Sequence, residues 1–261
     1  NKKVSKNPYS YMKKLIKKFN FPIPNNLPPM SSVLAGYFSY DVIRYIENIP
    51  DKCKSDLNIP DIIILRPTYL VVHDNLKKEI FFIANCFADK KVINLNLRFK
   101  EVEFKLNIIK NFCFFKQIVP KIKKITKKRI QVKSNIKKET FKKIVKKAKE
   151  YIKKGDIFQV VLSQRFETKL SKSPIEIYKK LRLTNPSPFM FFFNFDDFQI
   201  IGSSPEILVR LRNNKVTIRP IAGTRPRGTT IKHDNLFKNQ LINDKKELAE
   251  HLMLLDLGRN D

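Results

Sequence analysis

The run Phe189-Met-Phe-Phe-Phe-Asn-Phe-Asp-Asp-Phe-Gln-Ile-Ile-Gly202 reads as two apolar strands, Phe189 to Phe195 and Phe198 to Gly202, reversed across Asp196-Asp197. Turn-favouring acidic residues between two apolar runs mark a β-hairpin. A second hairpin follows, with Ile207 to Arg212 and Lys215 to Arg219 joined by Asn213-Asn214. Asparagine suits that turn because it tolerates the left-handed backbone. Upstream, Ile62 to Leu65 and Thr68 to Val72 are strand-like, and Asp74-Asn75 turns the chain into Glu79 to Ala84. Strands joined by short turns pair antiparallel, so the sheet content is antiparallel.

Helices are expected between these strands. Pro8 to Phe19 is a basic helix candidate, and Val92 to Lys110 also reads as helical. Phe141, Ile144, Val145, Ala148 and Ile152 recur at helical spacing, so the surrounding lysines cover one ordinary amphipathic helix. Ser134-Asn135 is its N-cap candidate, and Gly155 stops it after Lys154. Ile157 to Phe166 reads as a buried strand, and Ser173-Pro174 opens another helix. Strands paired by hairpins and covered by long amphipathic helices imply an α+β fold of layered antiparallel β-sheets. No GxGxxG fingerprint appears, which disfavours a dinucleotide-binding domain. The lysine-rich stretch Phe114 to Arg129 separates two expected regions, residues 1–115 and 130–261.

The formal charge is +29 over 261 residues. Such an excess ordinarily suggests nucleic acid. Here the lysines are strewn among Ile, Asn and Phe, as codon drift in an AT-rich genome produces, so no nucleic-acid partner is expected. Cys53, Cys86 and Cys113 are odd in number and show no CxxC spacing, which points to neither a disulfide framework nor a zinc site. No apolar run reaches the ~18 residues of a membrane span. No membrane association is expected, and a reducing cytoplasm is the expected setting.

Two clusters carry chemistry. In Glu247-Leu-Ala-Glu-His-Leu-Met-Leu-Leu-Asp-Leu-Gly-Arg-Asn-Asp261, residues Leu248, Leu252 and Leu255 form an apolar helical stripe, and Glu247 and Glu250 stack one turn apart beside it. Carboxylates on a packed helix suit a hard cation such as Mg²⁺. The bland alternative is a solvated acidic stripe. In Thr217-Ile-Arg-Pro-Ile-Ala-Gly-Thr-Arg-Pro-Arg-Gly228, open backbone at Gly223-Thr224 lies beside Arg225 and Arg227, which could offer guanidinium forks to a carboxylate or phosphate. Two solvated arginines in a Pro/Gly turn are the bland alternative there.

Five segments in order make the sequence resemble the large, chorismate-utilising subunit of anthranilate synthase, component I. They are Gly155-Asp-Ile-Phe-Gln-Val-Val-Leu-Ser-Gln-Arg165, Asn185-Pro-Ser-Pro-Phe-Met-Phe-Phe192, Gly202-Ser-Ser-Pro-Glu-Ile-Leu208, Pro220-Ile-Ala-Gly-Thr-Arg225 and the terminal Ala249 to Asp261. The resemblance is dense from Phe141 onward and thinner upstream, where Ala35-Gly-Tyr-Phe-Ser-Tyr-Asp41 is similar to a family segment.

The resemblance implies a lyase that converts chorismate and ammonia to anthranilate and pyruvate, the first step of tryptophan biosynthesis. A glutamine amidotransferase subunit would supply the ammonia, so a hetero-oligomer is expected. It implies Glu206 as general acid, Gly223 and Thr224 as chorismate contacts, and Glu250 as a Mg²⁺ ligand with Glu247 a weaker candidate. Pro188, Phe189 and Met190 match a segment that contacts inhibitory L-tryptophan, with Phe189 where many members have tyrosine. Relatives that activate water carry a lysine where this chain has Gln159. The aminodeoxychorismate-forming relative carries one where this chain has Ala222. With neither present, the nucleophile should come from outside. Family chains are about twice as long, so the sequence reads as an internal fragment that would be inactive by itself. An aminodeoxychorismate synthase-type enzyme and a non-catalytic basic binding protein are the alternatives.

Overall fold

A computed structural model describes residues 7–19, 22–53, 55–87, 94–115 and 130–260. The chain folds as two compact units, Asn1–Lys124 and Ile125–Asp261. The elements are α+β, and every ladder among the described residues is antiparallel and two-stranded.

In the first unit, α1 (Pro8–Phe19) begins after Asn7, whose Oδ1 accepts the Ser10 N–H at 3.2 Å. Strands β1 (Ala35–Phe38) and β2 (Ile62–Leu65) pair around Gly36↔Ile64. A Cβ on Gly36 would overlap the Ile63 carbonyl, so only glycine allows this approach. A 3₁₀ helix, Tyr40–Tyr45, follows β1. The expected turn at Asp74-Asn75 is present. The Asp74 carboxylate accepts the N–H groups of Leu76 and Lys77, and the reversal joins β3 (Tyr69–Asp74) to β4 (Glu79–Ala84). Helix α2 (Leu95–Phe114) is capped by Asn94 and packs on β4, where Phe82 and Phe114 rings meet at 6.1 Å. Ile83 and Val102 are the buried apolar side chains among the described residues of this unit. The Phe114 to Arg129 connection lies almost wholly outside the described residues.

In the second unit, α3 (Lys138–Lys154) ends at Gly155 with φ 78°, and Gly155 and Asp156 donate back to the Ile152 and Tyr151 carbonyls. Its start differs from expectation. The cap position is Lys137, whose side chain has no acceptor, while Asn135 Oδ1 accepts the Arg165 N–H at 2.8 Å and Ser134 belongs to β5 (Lys133–Ser134). That pairing reaches only β6 (Phe166–Glu167). Ile157 to Arg165 is therefore not the buried strand its apolar run suggested. No strand among the described residues pairs with 157–163, and Phe158 and Val161 are exposed. Helix α4 (Pro174–Thr184) begins at Ser173, where the Glu176 carboxylate accepts both the Ser173 N–H and its hydroxyl. It covers the hairpin β7 (Phe189–Asn194) and β8 (Gln199–Ser204) through Tyr178 against Phe192 at 5.8 Å. The second hairpin, β9 (Arg210–Arg212) and β10 (Lys215–Thr217), turns through Asn213 and Asn214 at φ 50° and 57°. Helices α5 (Ile231–Asn243) and α6 (Lys245–Asn260) complete the unit. Ala148 and Phe195 are the buried apolar side chains among its described residues.

Gly36→Ala should separate β1 from β2, because the obstruction is backbone that cannot rotate away. Urea denaturation should read a loss of about 1–3 kcal/mol, the usual cost of overpacking. An unchanged midpoint would show that the strands have room there.

Candidate functional site

The loop that follows β10 meets the first turn of α6 through one side chain. Arg225 Nη2 donates to Asp244 Oδ2 at 2.8 Å, and its Nη1 donates to Glu247 Oε1 at 3.1 Å and to the Thr224 carbonyl at 2.9 Å. All three side chains are partly shielded, with Arg225 28% and Glu247 22% exposed, so these charge-assisted bonds are less screened than open surface pairs. Asp244 also caps α6, since its Oδ1 accepts the N–H groups of Lys246 at 3.0 Å and Glu247 at 3.3 Å. Those N–H groups, Glu247's first, and the nearby Arg225 charge hold the Asp244 carboxyl below its ordinary range against an opposing desolvation.

Gly223 lies against the Glu247 carboxylate so closely that a Cβ would overlap it. The N–H groups of Gly223, Thr224 and Arg225 and the Thr224 hydroxyl meet no acceptor among the described residues. At the other end of the loop, Arg227 forms a two-pronged pair with Asp234 at 2.9 and 2.7 Å, and Asp234 also accepts the Gly228 N–H. Arg225 and Arg227 are therefore not the open forks for an external anion that the loop's sequence suggested. Both hold the loop to the two helices beyond it.

The candidate residues are linked by contacts. Glu206 follows β8, and its Oε1 accepts the Ile221 N–H at 3.1 Å, which ties it to the loop two residues before Gly223. Glu206 is exposed, so the dry pocket expected around a protonated carboxyl is not formed by the described residues. Ser203 Oγ donates to the Asn185 carbonyl at 2.7 Å, holding the segment before Pro188 against β8. Phe189 and Met190 then pair with Ser204 and Ser203. Pro188 and Phe189 are exposed, and Met190 is half-buried. Gln159 is exposed in the irregular segment after α3, and Ala222 lies half-buried in the loop.

Helix α6 presents a different face than expected. Leu248, Leu252 and Leu255 are 48–52% exposed. Glu247, Glu250, His251, Met253, Leu254 and Gly258 are the more shielded residues of the helix, and Gly258 lies against Ile218. Arg225 draws Glu247 inward, and the helical period carries Glu250 and Leu254 to the same side. Glu247 is thereby engaged by Arg225. Glu250 is half-buried with no ion-pair partner among the described residues. Among those residues no group of three or more His, Cys, Asp or Glu is placed to hold a metal ion. One unpaired carboxylate nonetheless fits Mg²⁺, which keeps several waters and takes one or two protein carboxylates with substrate oxygens.

Sequence reasoning missed Asp244, Asp234 and helix α5. The signal for Asp244 was present, since Asp244-Lys-Lys-Glu247 has capping-box spacing. Thr230 similarly caps α5 by accepting the His233 N–H.

A sequence model of the family described as chorismate binding enzyme matches residues 1–261. The chain belongs to this family. Among curated relatives, it is 43% identical over 257 residues to anthranilate synthase component 1 of Cereibacter sphaeroides, covering 97% of this chain and 51% of the relative. It is 42% identical over 267 residues to that of Aquifex aeolicus, covering 98% and 52%. The crystal structure of anthranilate synthase component I from Streptococcus pneumoniae TIGR4 superposes with a TM-score of 0.79 at 30% identity, covering 95% of this chain and 54% of that one. The chain spans about half the length of these relatives. The component I resemblance and the α+β antiparallel fold read from the motifs therefore stand for this member of the chorismate binding enzyme family. Among the described residues no helix is long and apolar enough to cross a membrane.

The Asp244 cap gives a signed acid dependence. A carboxyl whose folded pKa is depressed contributes stability above its unfolded value, and that contribution is lost as pH falls through the folded value. Stability should be level above about pH 4, near the unfolded carboxyl range, and decline below it. Asp244→Asn should lower the plateau and flatten that decline in denaturation series between pH 7 and pH 2. An acid slope identical to the wild type would remove Asp244 from this role.

Proposed function

We propose that the whole protein is the large subunit of an anthranilate synthase. It would act on chorismate with ammonia delivered by a glutamine amidotransferase subunit, in a cytoplasmic hetero-oligomer. The observation that carries this reading is the Gly223–Arg225 loop, held so that three consecutive N–H groups and a hydroxyl remain open beside the helix bearing Glu250. Unpaired backbone and hydroxyl donors of this kind suit a substrate carboxylate.

In this reading the Gly223 and Thr224 donors hold a chorismate carboxylate. Glu250 would hold Mg²⁺, which when bound supplies positive charge to a carboxylate oxygen of the substrate. Ammonia adds at C2 of the ring and the C4 hydroxyl leaves as water after accepting a proton from the Glu206 carboxyl. Loss of the C2 proton and of the enolpyruvyl group as pyruvate then yields the aromatic amine. For Glu206 to donate, its surroundings must become drier than the exposed setting described above. Gln159 and Ala222 favour ammonia as the nucleophile, since neither side chain can activate water or attack the ring. Pro188, Phe189 and Met190 would form part of an inhibitory L-tryptophan site, with an indole ring able to stack on Phe189.

The whole protein, given chorismate, Mg²⁺ and an ammonium salt, should release anthranilate, read by its fluorescence. Isochorismate or 4-amino-4-deoxychorismate as product would overturn the assignment. Glu250→Ala should lower Mg²⁺-dependent turnover by more than the roughly 10–100-fold typical of losing an outer-shell partner of a metal. Retained turnover in that variant would remove Glu250 from metal binding.

A further inference from the structure

We propose that Arg225 is a positioning residue that makes the substrate loop and the metal-bearing helix a single mechanical unit. The inference rests on the chorismate reading of this site and extends it to the Arg225 guanidinium, whose hydrogen bonds go to Thr224, Asp244 and Glu247.

The argument starts from peptide geometry. The Thr224 carbonyl is held by Arg225 Nη1 at 2.9 Å. Because the Thr224–Arg225 peptide is planar and trans, fixing that carbonyl sends the Arg225 N–H in the opposite direction, away from its own guanidinium. The same guanidinium is anchored on Asp244 at 2.8 Å and on Glu247 at 3.1 Å. These partners are the cap and the first turn of α6, and Glu250 lies one turn further along that helix. The planar fork of arginine can bridge both carboxylates and the carbonyl at once, whereas the compact ammonium of lysine cannot reproduce that spread. Gly223 closes the arrangement, since its missing Cβ is what lets the loop lie against Glu247.

Without this bridge the segment would keep only the packing of Gly223 on Glu247 and of Ile218 on Gly258, and its remaining polar tie, Arg227 to Asp234, leads to α5 and not to α6. Donor positions and the Glu250 carboxylate would then move independently. Misplacement of about 1 Å between binding groups is enough to cost roughly 100-fold. The consequence is specific. Weakening the bridge should impair chorismate binding and Mg²⁺ binding together, because each ligand relies on the other's support being in register.

The test uses the whole protein with two variants, Arg225→Lys and the milder Asp244→Asn. The first keeps the charge and loses the fork, and the second removes one anchor while retaining an N-cap side chain. Hydrogen exchange read by mass spectrometry should speed up roughly tenfold or more in peptides covering residues 220–228 and 244–250, and by much less in β7 and β8. The KM for chorismate and the Mg²⁺ concentration for half-maximal rate should rise together, by roughly 10–100-fold, with a smaller change in kcat. A general loss of stability would instead speed exchange everywhere and leave both constants in place for the folded fraction. Unchanged exchange in the two segments would overturn the proposal, as would a loss confined to kcat. If the wild-type protein turns over no chorismate, the functional reading fails, and the exchange result alone decides whether Arg225 couples loop to helix.

Discussion

One guanidinium meeting two carboxylates at the start of a helix organises the second unit's site. Arg225 joins Thr224, Asp244 and Glu247, and the orientation of α6 follows from it. With Glu247 drawn towards the loop, the period of the helix places Glu250, Leu254 and Gly258 on the same side and leaves the leucines at 248, 252 and 255 more open. Hydrophobicity alone predicts the opposite face. A charged bridge with partial shielding outweighs it here, and the leucines stay about half exposed among the described residues.

The same economy of contacts runs through the rest of the structure. Two-stranded ladders bury little by themselves, and two of them are covered by a helix. Helix α4 covers β7 and β8 through Tyr178 and Phe192, and α2 covers β4 through Phe114 and Phe82. Most ion pairs outside the Arg225 and Arg227 bridges are local and exposed, such as Lys142–Glu139 and Arg259–Asp256, and such pairs contribute little. The +29 charge is thus not balanced by a matching set of structural ion pairs among the described residues. The bonds that cross long stretches of sequence are concentrated where the family motifs lie. Glu206 to Ile221, Ser203 to Asn185, and Arg225 to Asp244 and Glu247 each connect one motif to another or to its cap.

Local signals in the sequence were sufficient for elements whose stability is local. Asn213-Asn214 and Gly155 occupy left-handed positions, the Ser173-Pro174 start carries its Glu176 partner, and Pro8 to Phe19 begins and ends where the pattern placed it. Ile157 to Phe166 failed for a different reason. An apolar run becomes a strand only when a neighbour supplies hydrogen bonds, and that neighbour is a property of the fold, not of the run. Ser134-Asn135 failed similarly, because Asn135 satisfied the backbone of Arg165, thirty residues on, instead of the helix it precedes.

The sequence by itself determined the family, the antiparallel hairpins, the helix stops and the identity of the motif residues, since each depends on residue types at short and fixed spacing. Which partners those residues take was decided by tertiary structure. Arg225 could have met an external anion as easily as Asp244, 19 residues away, and no local rule chooses between them. Glu247 and Glu250 look equivalent on a helix, three residues apart. Only the loop folding back with a glycine against Glu247 separates them, engaging one carboxylate and leaving the other open. Partner choice over such distances depends on where the backbone travels, and that is settled by packing and ladder pairing across the whole unit.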